Sequence, residues 1–346
     1  MYPILNPSKY PVLIKKNYTS KDVADLAGVS QATVSRVFAG ETRVSERKKK
    51  LVMEAADKLN YQPNAHARSL TTRKTKIIGI VMRNIRDPFY TAVLEIFHNR
   101  LTPLGYQLIF INSENEVIEE AEIKKMLEYN IAGVVITDAV LSKAASEKFK
   151  HNEIPVLLFN RYTKEGDHNS VFCDNYHAAK QIASYLLKLG HQSFGFISGP
   201  SNTSTTIDRL KGFTEVLDQN NIHDLIIASG DYTYHGGFNA TQELITRNMN
   251  LDCIFCVNDI TALGAMDAIR TMGFKIPEDI SVVGFDNIRM CGWTPYFLST
   301  WEQPLEDMVT RSVEILLERI ADYSKKPETL RMIGQLIVRN SVKSKR

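Results

Sequence analysis

The sequence has no apolar run long enough to enter a bilayer. Its longest, such as Ile77–Met82 (IIGIVM) and Val156–Phe159 (VLLF), fall far short of the roughly 20 residues that a spanning helix needs. No transmembrane segment and no membrane partner are therefore expected. Cysteine is equally sparse: four residues cannot staple a chain of 346, and Cys173 and Cys291 stand alone. Cys253 and Cys256 lie three apart in LDCIFCVND, which reads as a buried strand, and an odd spacing there sends the two sulfurs to opposite faces. Core packing is expected of them, rather than a redox or zinc site. There is no Walker-type phosphate loop, no G-x-S-x-G elbow and no H-E-x-x-H pair. Asp174, His177 and His235 lack evident catalytic partners and read as surface or capping residues. The expectation is a protein that is not an enzyme and uses no cofactor and no metal. The N-terminus lacks the order of a secretory signal, because its basic residues follow its apolar ones and two prolines come early. A cytoplasmic protein with a flexible extension over residues 1–18 is expected.

What is present divides unevenly. The chain is longer than one typical core, so two or three domains are expected. Residues 1–76 hold 15 Lys and Arg against 6 Asp and Glu, a surplus of nine, while the whole chain is only +3; residues 77–346 are therefore at −6. Such an asymmetry suggests a polyanion-binding head on a mildly acidic body, against the blander reading of a solvated charged face.

The basic head carries local helix signals. TSKD, residues 19–22, fits a capping box in which the Thr19 hydroxyl accepts the Asp22 amide and the carboxylate reaches back. Val23, Ala24, Leu26 and Ala27 supply an apolar side, Gly28 permits a bend, and Ser30 can cap a second helix from Gln31 to about Ala39. Two short helices about a tight turn make a helix-turn-helix, whose second helix enters the DNA major groove N-terminus first. Its exposed early residues would be Gln31, Ala32 and Arg36, suited to adenine, the thymine methyl and guanine. A third helix follows Ser45, with Leu51, Val52, Ala55, Ala56 and Leu59 on one side. Arg47, Lys48, Lys49 and Lys50 crowd its first turn, where cations oppose the helix dipole, so phosphate contact explains them better than helix stability.

SKDVADLAGVSQATVSRVFAG followed by VSERKKKLVMEAADKLNYQPNAHARSL resembles the headpiece of the lactose-repressor (LacI/GalR) family of bacterial transcription regulators, in order and spacing over some fifty residues. By that resemblance residues 19–62 form the DNA-binding headpiece, and 63–75 the hinge helix and linker, in which Leu70 inserts into the minor groove when two subunits pair on DNA. Pro63 fixes the entry, and Ala65 and Ala67 are small enough for close helix pairing. The expected DNA-contacting set is Thr19, Ser30, Gln31, Ala32, Thr33, Ser35, Arg36, Lys48, Asn64, Arg68 and Leu70.

From Lys76 onward β-branched runs alternate with amphipathic stretches. KIIGIVM, YQLIFIN, AGVVIT and PVLLFN form one series; FGFISG, DLIIAS, CIFCVN and SVVGF form another, with helical stretches such as 176–189, 205–219 and 259–272 between. Continuous apolar strands separated by helices imply parallel sheets covered on both faces. The fold class expected is α/β, with two subdomains. It resembles the type I periplasmic-binding-protein fold that the same family carries. The resemblance implies a core over 76–346, with one subdomain from 76–174 and 303–329 and the other from 175–301 and 330–346. The chain would cross between them near 174–176, 301–303 and 329–331.

Loops at strand ends offer Phe89 and Tyr90, Asn160 and Arg161, Arg209, Tyr232, Asn258 and Asp259, and Asp286 and Asn287. Arg, Asn and Asp suit vicinal hydroxyls or ring edges, and aromatic faces cover an apolar ring. The resemblance implies effector contact at the positions of Phe89, Arg161, Arg209, Tyr232, Asn258 and Asp286, and with Tyr90 these make the expected effector-binding set. Each also has a plain reading: Phe89 as core filler, Arg161 as a surface ion pair, Asp286 as a cap. Arg83 and Arg86 depart from the family pattern and make an anionic effector conceivable, although solvent or a partner subunit is the expected destination of both. Trp301 replaces a usually aliphatic residue at a crossing, where it lines the cleft or thickens the packing. Together these imply a transcriptional regulator, expected to be a repressor. It would act as a homodimer on a pseudo-palindromic double-stranded operator, under control of a small effector, expected to be a carbohydrate. A plain solute-binding protein would need an export signal and no basic head.

Overall fold

The computed structural model describes residues 18–38, 43–62, 75–113, 117–118, 120–163 and 167–345. The chain forms two units, residues 1–75 and 76–346. Residues 1–17 of the expected 1–18 extension, and Asn64, Arg68 and Leu70 of the expected hinge helix, lie outside the described residues.

In the first unit, α1 (Ser20–Ala27), α2 (Gln31–Phe38) and α3 (Glu46–Lys58) close around Val23, Ala24, Val34, Val52, Ala55 and Ala56. The capping box forms: Thr19 N–H donates to Asp22 Oδ2 at 2.7 Å and Asp22 N–H to Thr19 Oγ1 at 3.4 Å. Gly28 ends α1 at φ 64°, a left-handed conformation that only glycine adopts without strain. Two of the expected core positions are corrected. Leu26 and Leu51 stand about half exposed, because α1 and α3 bury narrow stripes in so small a unit.

The second unit holds two six-stranded sheets. The first contains β1 (Ile77–Met82), β2 (Gln107–Asn112), β3 (Gly133–Ile136), β4 (Val156–Phe159) and β5 (Asn169–Cys173). Around it lie α4 (Pro88–Leu101), α5 (Glu120–Glu128) and α6 (Lys143–His151). The second contains β6 (Phe194–Ser198), β7 (Ile226–Ser229), β8 (Cys253–Cys256), β9 (Ser281–Asp286) and β10 (Ser299–Glu302). Its helices are α7 (Asn175–Lys188), α8 (Ser204–Gln219), α9 (Tyr234–Arg247) and α10 (Asp259–Thr271). After α11 (Leu305–Ala321), the late strands β11 (Thr329–Met332) and β12 (Gln335–Ile337) complete one sheet each.

The strand orders are 11-5-4-3-1-2 and 12-10-9-8-6-7, parallel throughout except where β12 runs against β10. Each sheet reverses its order once, between β1 and β3 and between β6 and β8, and α/β folds bind ligands beyond strand ends at such reversals. The third crossing corrects the expected boundary at 329–331. Met332 is still in register with Cys173, and its carbonyl accepts from Asp174 N–H at 2.7 Å, so 330–332 belong to the first sheet and the chain crosses at Ile333–Gly334. Cys253 and Cys256 are both buried in β8, as packing. Trp301 thickens the crossing: its ring stacks on Phe285 with centroids 6.4 Å apart. Among the described residues no helix is long and apolar enough to cross a membrane.

Candidate functional site

In the helix-turn-helix unit, α2 buries Val34 and turns Gln31, Ala32, Ser35 and Arg36 outward. Ser30 caps the helix, accepting Thr33 N–H at 3.2 Å, and its hydroxyl meets that of Thr33 at 2.9 Å. Those two side chains thus also set the start of α2. Gln31 Nε2 donates to Ser20 Oγ at 2.8 Å, a contact to be exchanged if the amide is to meet a base. On α3, Lys49 pairs with Glu46 at 2.7 Å and Lys50 with Glu54 at 4.0 Å, while Lys48 is exposed.

In the second unit a cavity of about 270 Å³ lies between the carboxyl ends of the two sheets. All seven expected effector residues line it. Phe89 and Tyr90 follow β1, Arg161 follows β4, Arg209 stands on α8, Tyr232 follows β7, Asn258 follows β8 and caps α10, and Asp286 ends β9. Asp259 and Asn287 do not join them: Asp259 is wholly buried and accepts Ile288 N–H at 2.9 Å and Thr300 Oγ1 at 2.6 Å, and Asn287 bonds to Glu302 and Arg339. Four lining residues that are not glycine, Asn160, Asp231, Tyr232 and Asp286, hold positive φ, so backbone strain collects around the cavity.

The walls are tied down. Arg209, 2% exposed, donates from Nε to Asn175 Oδ1 at 2.8 Å and from Nη1 to the Val257 carbonyl, lies 3.9 Å from Asp286, and stacks 3.4 Å from the Phe285 ring centre. Gln303 Nε2 also donates to Asp286, at 2.7 Å. The Tyr232 hydroxyl meets Thr203, Thr205 and Thr206 at 3.0, 2.7 and 2.7 Å. Asp138 holds the loop after β1, accepting Arg83 and Asn84 N–H at 2.7 and 2.8 Å. Across the cleft, Asn258 Nδ2 donates to Asp87 Oδ2 at 3.2 Å, while Asp87 Oδ1 caps α4 through Phe89 N–H at 2.9 Å.

Burial dominates the carboxyls here. It raises Asp286 well above the usual carboxylate range, with the Arg209 guanidinium opposing, and lifts Asp87 to about 7. It also keeps the Tyr90 phenol protonated. A folded-state pKa raised from 3.8 to about 7 means that Asp87 contributes stability below about pH 4 that is lost as pH rises through 7. Asp87→Asn can still cap α4 and has no proton to lose. Its stability relative to the parent should therefore rise by a few kcal/mol between about pH 4 and 8 in urea titrations. A pH-independent difference would show that Asp87 does not titrate in that window.

Sequence reasoning missed Asp87, Asp138, Thr205 and Asp231 among the lining residues. Asp138 follows VVIT, so the strand-end rule that found the others could have found it. Arg83 is exposed to solvent, as expected, and also lines the cavity; Arg86 is exposed and does not line it. Asp174 caps α7 through His177 N–H at 3.0 Å, as its plain reading required.

A basic helix-turn-helix unit, followed by two parallel sheets that enclose a polar cavity, defines a DNA-binding transcriptional repressor with an effector-binding core. The profile of bacterial regulatory proteins of the lacI family matches residues 19–64, and that of the periplasmic binding proteins and sugar binding domain of LacI family matches residues 75–332. The chain belongs to the LacI family. It is 32% identical over 329 residues to the HTH-type transcriptional repressor PurR of Edwardsiella ictaluri, covering 94% of this chain and 96% of that one. Among solved structures, the lac repressor dimer bound to operator and the anti-inducer ONPF is 25% identical with a TM-score of 0.84, covering 95% of this chain and 100% of that one. A LacI family regulator from Enterococcus faecium with bound ribose is 26% identical with a TM-score of 0.72, covering 78% of this chain and all of that one.

Proposed function

We propose that the protein is a homodimeric repressor whose affinity for a pseudo-palindromic operator is set allosterically by a small hydroxylated effector, a sugar or sugar derivative, bound between the two sheets. The observation that carries the effector reading is the cavity itself, about 270 Å³ and lined by convergent polar side chains of both sheets, Asn160, Arg161, Arg209, Asn258 and Asp286 among them. At its wall, Asn160 and Arg161 also keep buried polar atoms, Oδ1 of the first and Nε and Nη1 of the second, without a hydrogen-bond partner among the described residues. Buried polar groups are rarely left unpaired, and a hydroxyl both donates and accepts. Phe89, Tyr90 and Tyr232 give such a ligand aromatic walls, and the ribose-bound and operator-bound relatives support the same division of labour.

On DNA, one headpiece reads a half-site and two-fold symmetry supplies the second. Arg36 lies on the outward face of α2, with Gln31 and Ala32, and is proposed to read a base edge. In gel-shift titrations on a selected operator, Arg36→Ala should cost about 1–3 kcal/mol there and leave random-sequence binding nearly unchanged. Equal losses on both would make Arg36 a phosphate contact, and no preference of the parent for any site would end the repressor reading. Leu70 is proposed to wedge the central base step, which would let cleft closure govern DNA binding.

A further inference from the structure

Arg161 and Arg209 line one cavity from opposite subdomains, the first from the loop after β4 and the second from α8. Their sequence neighbours, Tyr162 and Asp208, bond to each other. The Tyr162 hydroxyl donates to the Asp208 carboxylate, standing 3.1 and 3.0 Å from its two oxygens, and so joins the first subdomain to the second. Neither residue lines the cavity. Each end of the bond is fixed in its own half. The Tyr162 ring packs on Phe172 of β5, with centroids 4.6 Å apart and planes 30° apart, one residue before that strand ends at Cys173. Asp208 stands in the second turn of α8, whose start is capped by Thr203.

The bond is durable for two reasons. Burial and the neighbouring carboxylate push the Tyr162 phenol up to about 12, so the donor keeps its proton across the neutral range. Burial also raises the Asp208 carboxyl, and the Tyr162 hydrogen bond opposes that rise. Both side chains are half-buried, where water competes less for a carboxylate acceptor. Away from the three crossings, the two halves are also joined by Asn258 and Asp87, but these two residues line the cavity. A ligand entering the cleft competes for them. It does not compete for Tyr162 and Asp208.

We infer that the Tyr162–Asp208 pair is a brace outside the cavity that sets how far the cleft closes, and thereby positions Arg161 and Arg209 around one ligand. The inference rests on the proposed cleft-binding role and adds a control on cleft geometry that no effector touches. Without the brace, the two halves are held by the crossings and by contacts that a ligand disturbs, and the balance shifts towards a wider cleft.

The test is a distance measurement between the subdomains of the full chain, without ligand. All four native cysteines are buried, so spin labels can be placed selectively at Glu147→Cys on α6 and Gln242→Cys on α9, both exposed and in opposite halves. Labelled chains are diluted with unlabelled ones, and pulsed electron spin resonance reads the separation within a single chain. The longer-distance population should grow about tenfold in Tyr162→Phe, which keeps the ring on Phe172 and loses only the hydroxyl. Asp208→Ala should have the same effect, and Asp208→Asn, which keeps an acceptor oxygen, should restore most of the parent distribution. Joining Tyr162→Phe to Asp208→Ala should add nothing to either alone. Melting curves confirm that the variants remain folded, and Tyr162→Phe decides the matter if Asp208→Ala does not fold. Distances unchanged in Tyr162→Phe would overturn the inference even if its melting point falls, because a purely structural bond loses stability without moving the halves. That outcome would leave the effector reading standing, since no ligand enters the measurement. The sugar reading is decided separately, by calorimetric titration of the parent protein with ribose.

Discussion

The Arg209→Met protein is expected to lose effector binding and about 3–5 kcal/mol of stability, the usual cost of removing one partner of a buried ion pair. The loss comes from several contacts at once. The guanidinium ties α7 through Asn175, β8 through the Val257 carbonyl and β9 through Asp286, and it covers the Phe285 ring. Methionine fills part of the volume and replaces none of the hydrogen bonds. Asp286 is then left buried without its cation. Because burial already raises its pKa, the deficit should shrink in acid, where the carboxyl takes up a proton. Arg209→Lys should fall between, since an ammonium keeps the charge and loses the fork and the stacking. Urea unfolding at pH 5 and pH 8 measures the first effect and titration with the best cleft ligand the second. Unchanged stability would mean that the desolvation of Arg209 costs as much as its contacts return.

The second large effect is steric. Gly237 on α9 and Gly264 on α10 let the two helices approach almost backbone to backbone: a Cβ on Gly237 would sit 2.1 Å from the Thr261 carbonyl oxygen, and one on Gly264 would sit 2.0 Å from that of Tyr234. Alanine favours a helix by about 1 kcal/mol over glycine. Forcing the pair apart should outweigh that gain and leave Gly237→Ala less stable by about 2–3 kcal/mol. Ligand affinity should fall with it, because α9 begins just after Tyr232 and α10 just after Asn258, so displacing either helix moves a cavity wall. A Gly237→Ala protein as stable as the parent, with unchanged ligand affinity, would show that the helices separate at little cost.

The sequence made some of this legible and not the rest, for physical reasons. Continuous apolar strands such as CIFC and IIGIVM announce themselves, because burial on both faces leaves only apolar residues to read. NSVFC and STWE do not, although β5 and all of β10 but Glu302 are buried. Their polar residues are paid for locally: Asn169 Oδ1 accepts Glu328 N–H, Ser299 Oγ donates to the Arg339 carbonyl, and Thr300 Oγ1 donates to Asp259. Hydropathy cannot register partners that lie 40 or 159 residues away. The cavity residues found in advance were those with large or charged side chains at strand ends. Asp87 and Asp138 escaped notice because each first serves its own backbone, as a helix cap and as a loop anchor. Leu26 and Leu51 misled in the opposite direction, since helical periodicity marks an apolar side without saying how wide a stripe a three-helix unit can cover.

The late crossings also bear on biosynthesis. Neither sheet is closed by a contiguous stretch of chain: β11 completes the first and β12 the second, and both lie between Thr329 and Ile337. The three headpiece helices, in contrast, have their own core by residue 62. At about 5–20 residues per second, a ribosome delivers the reading head some tens of seconds before either half of the effector core can finish its sheet. During that interval the nascent chain holds a folded DNA-reading surface and an unfinished ligand cleft. Translation arrested before Thr329 would yield a folded headpiece attached to a core in which neither sheet is complete.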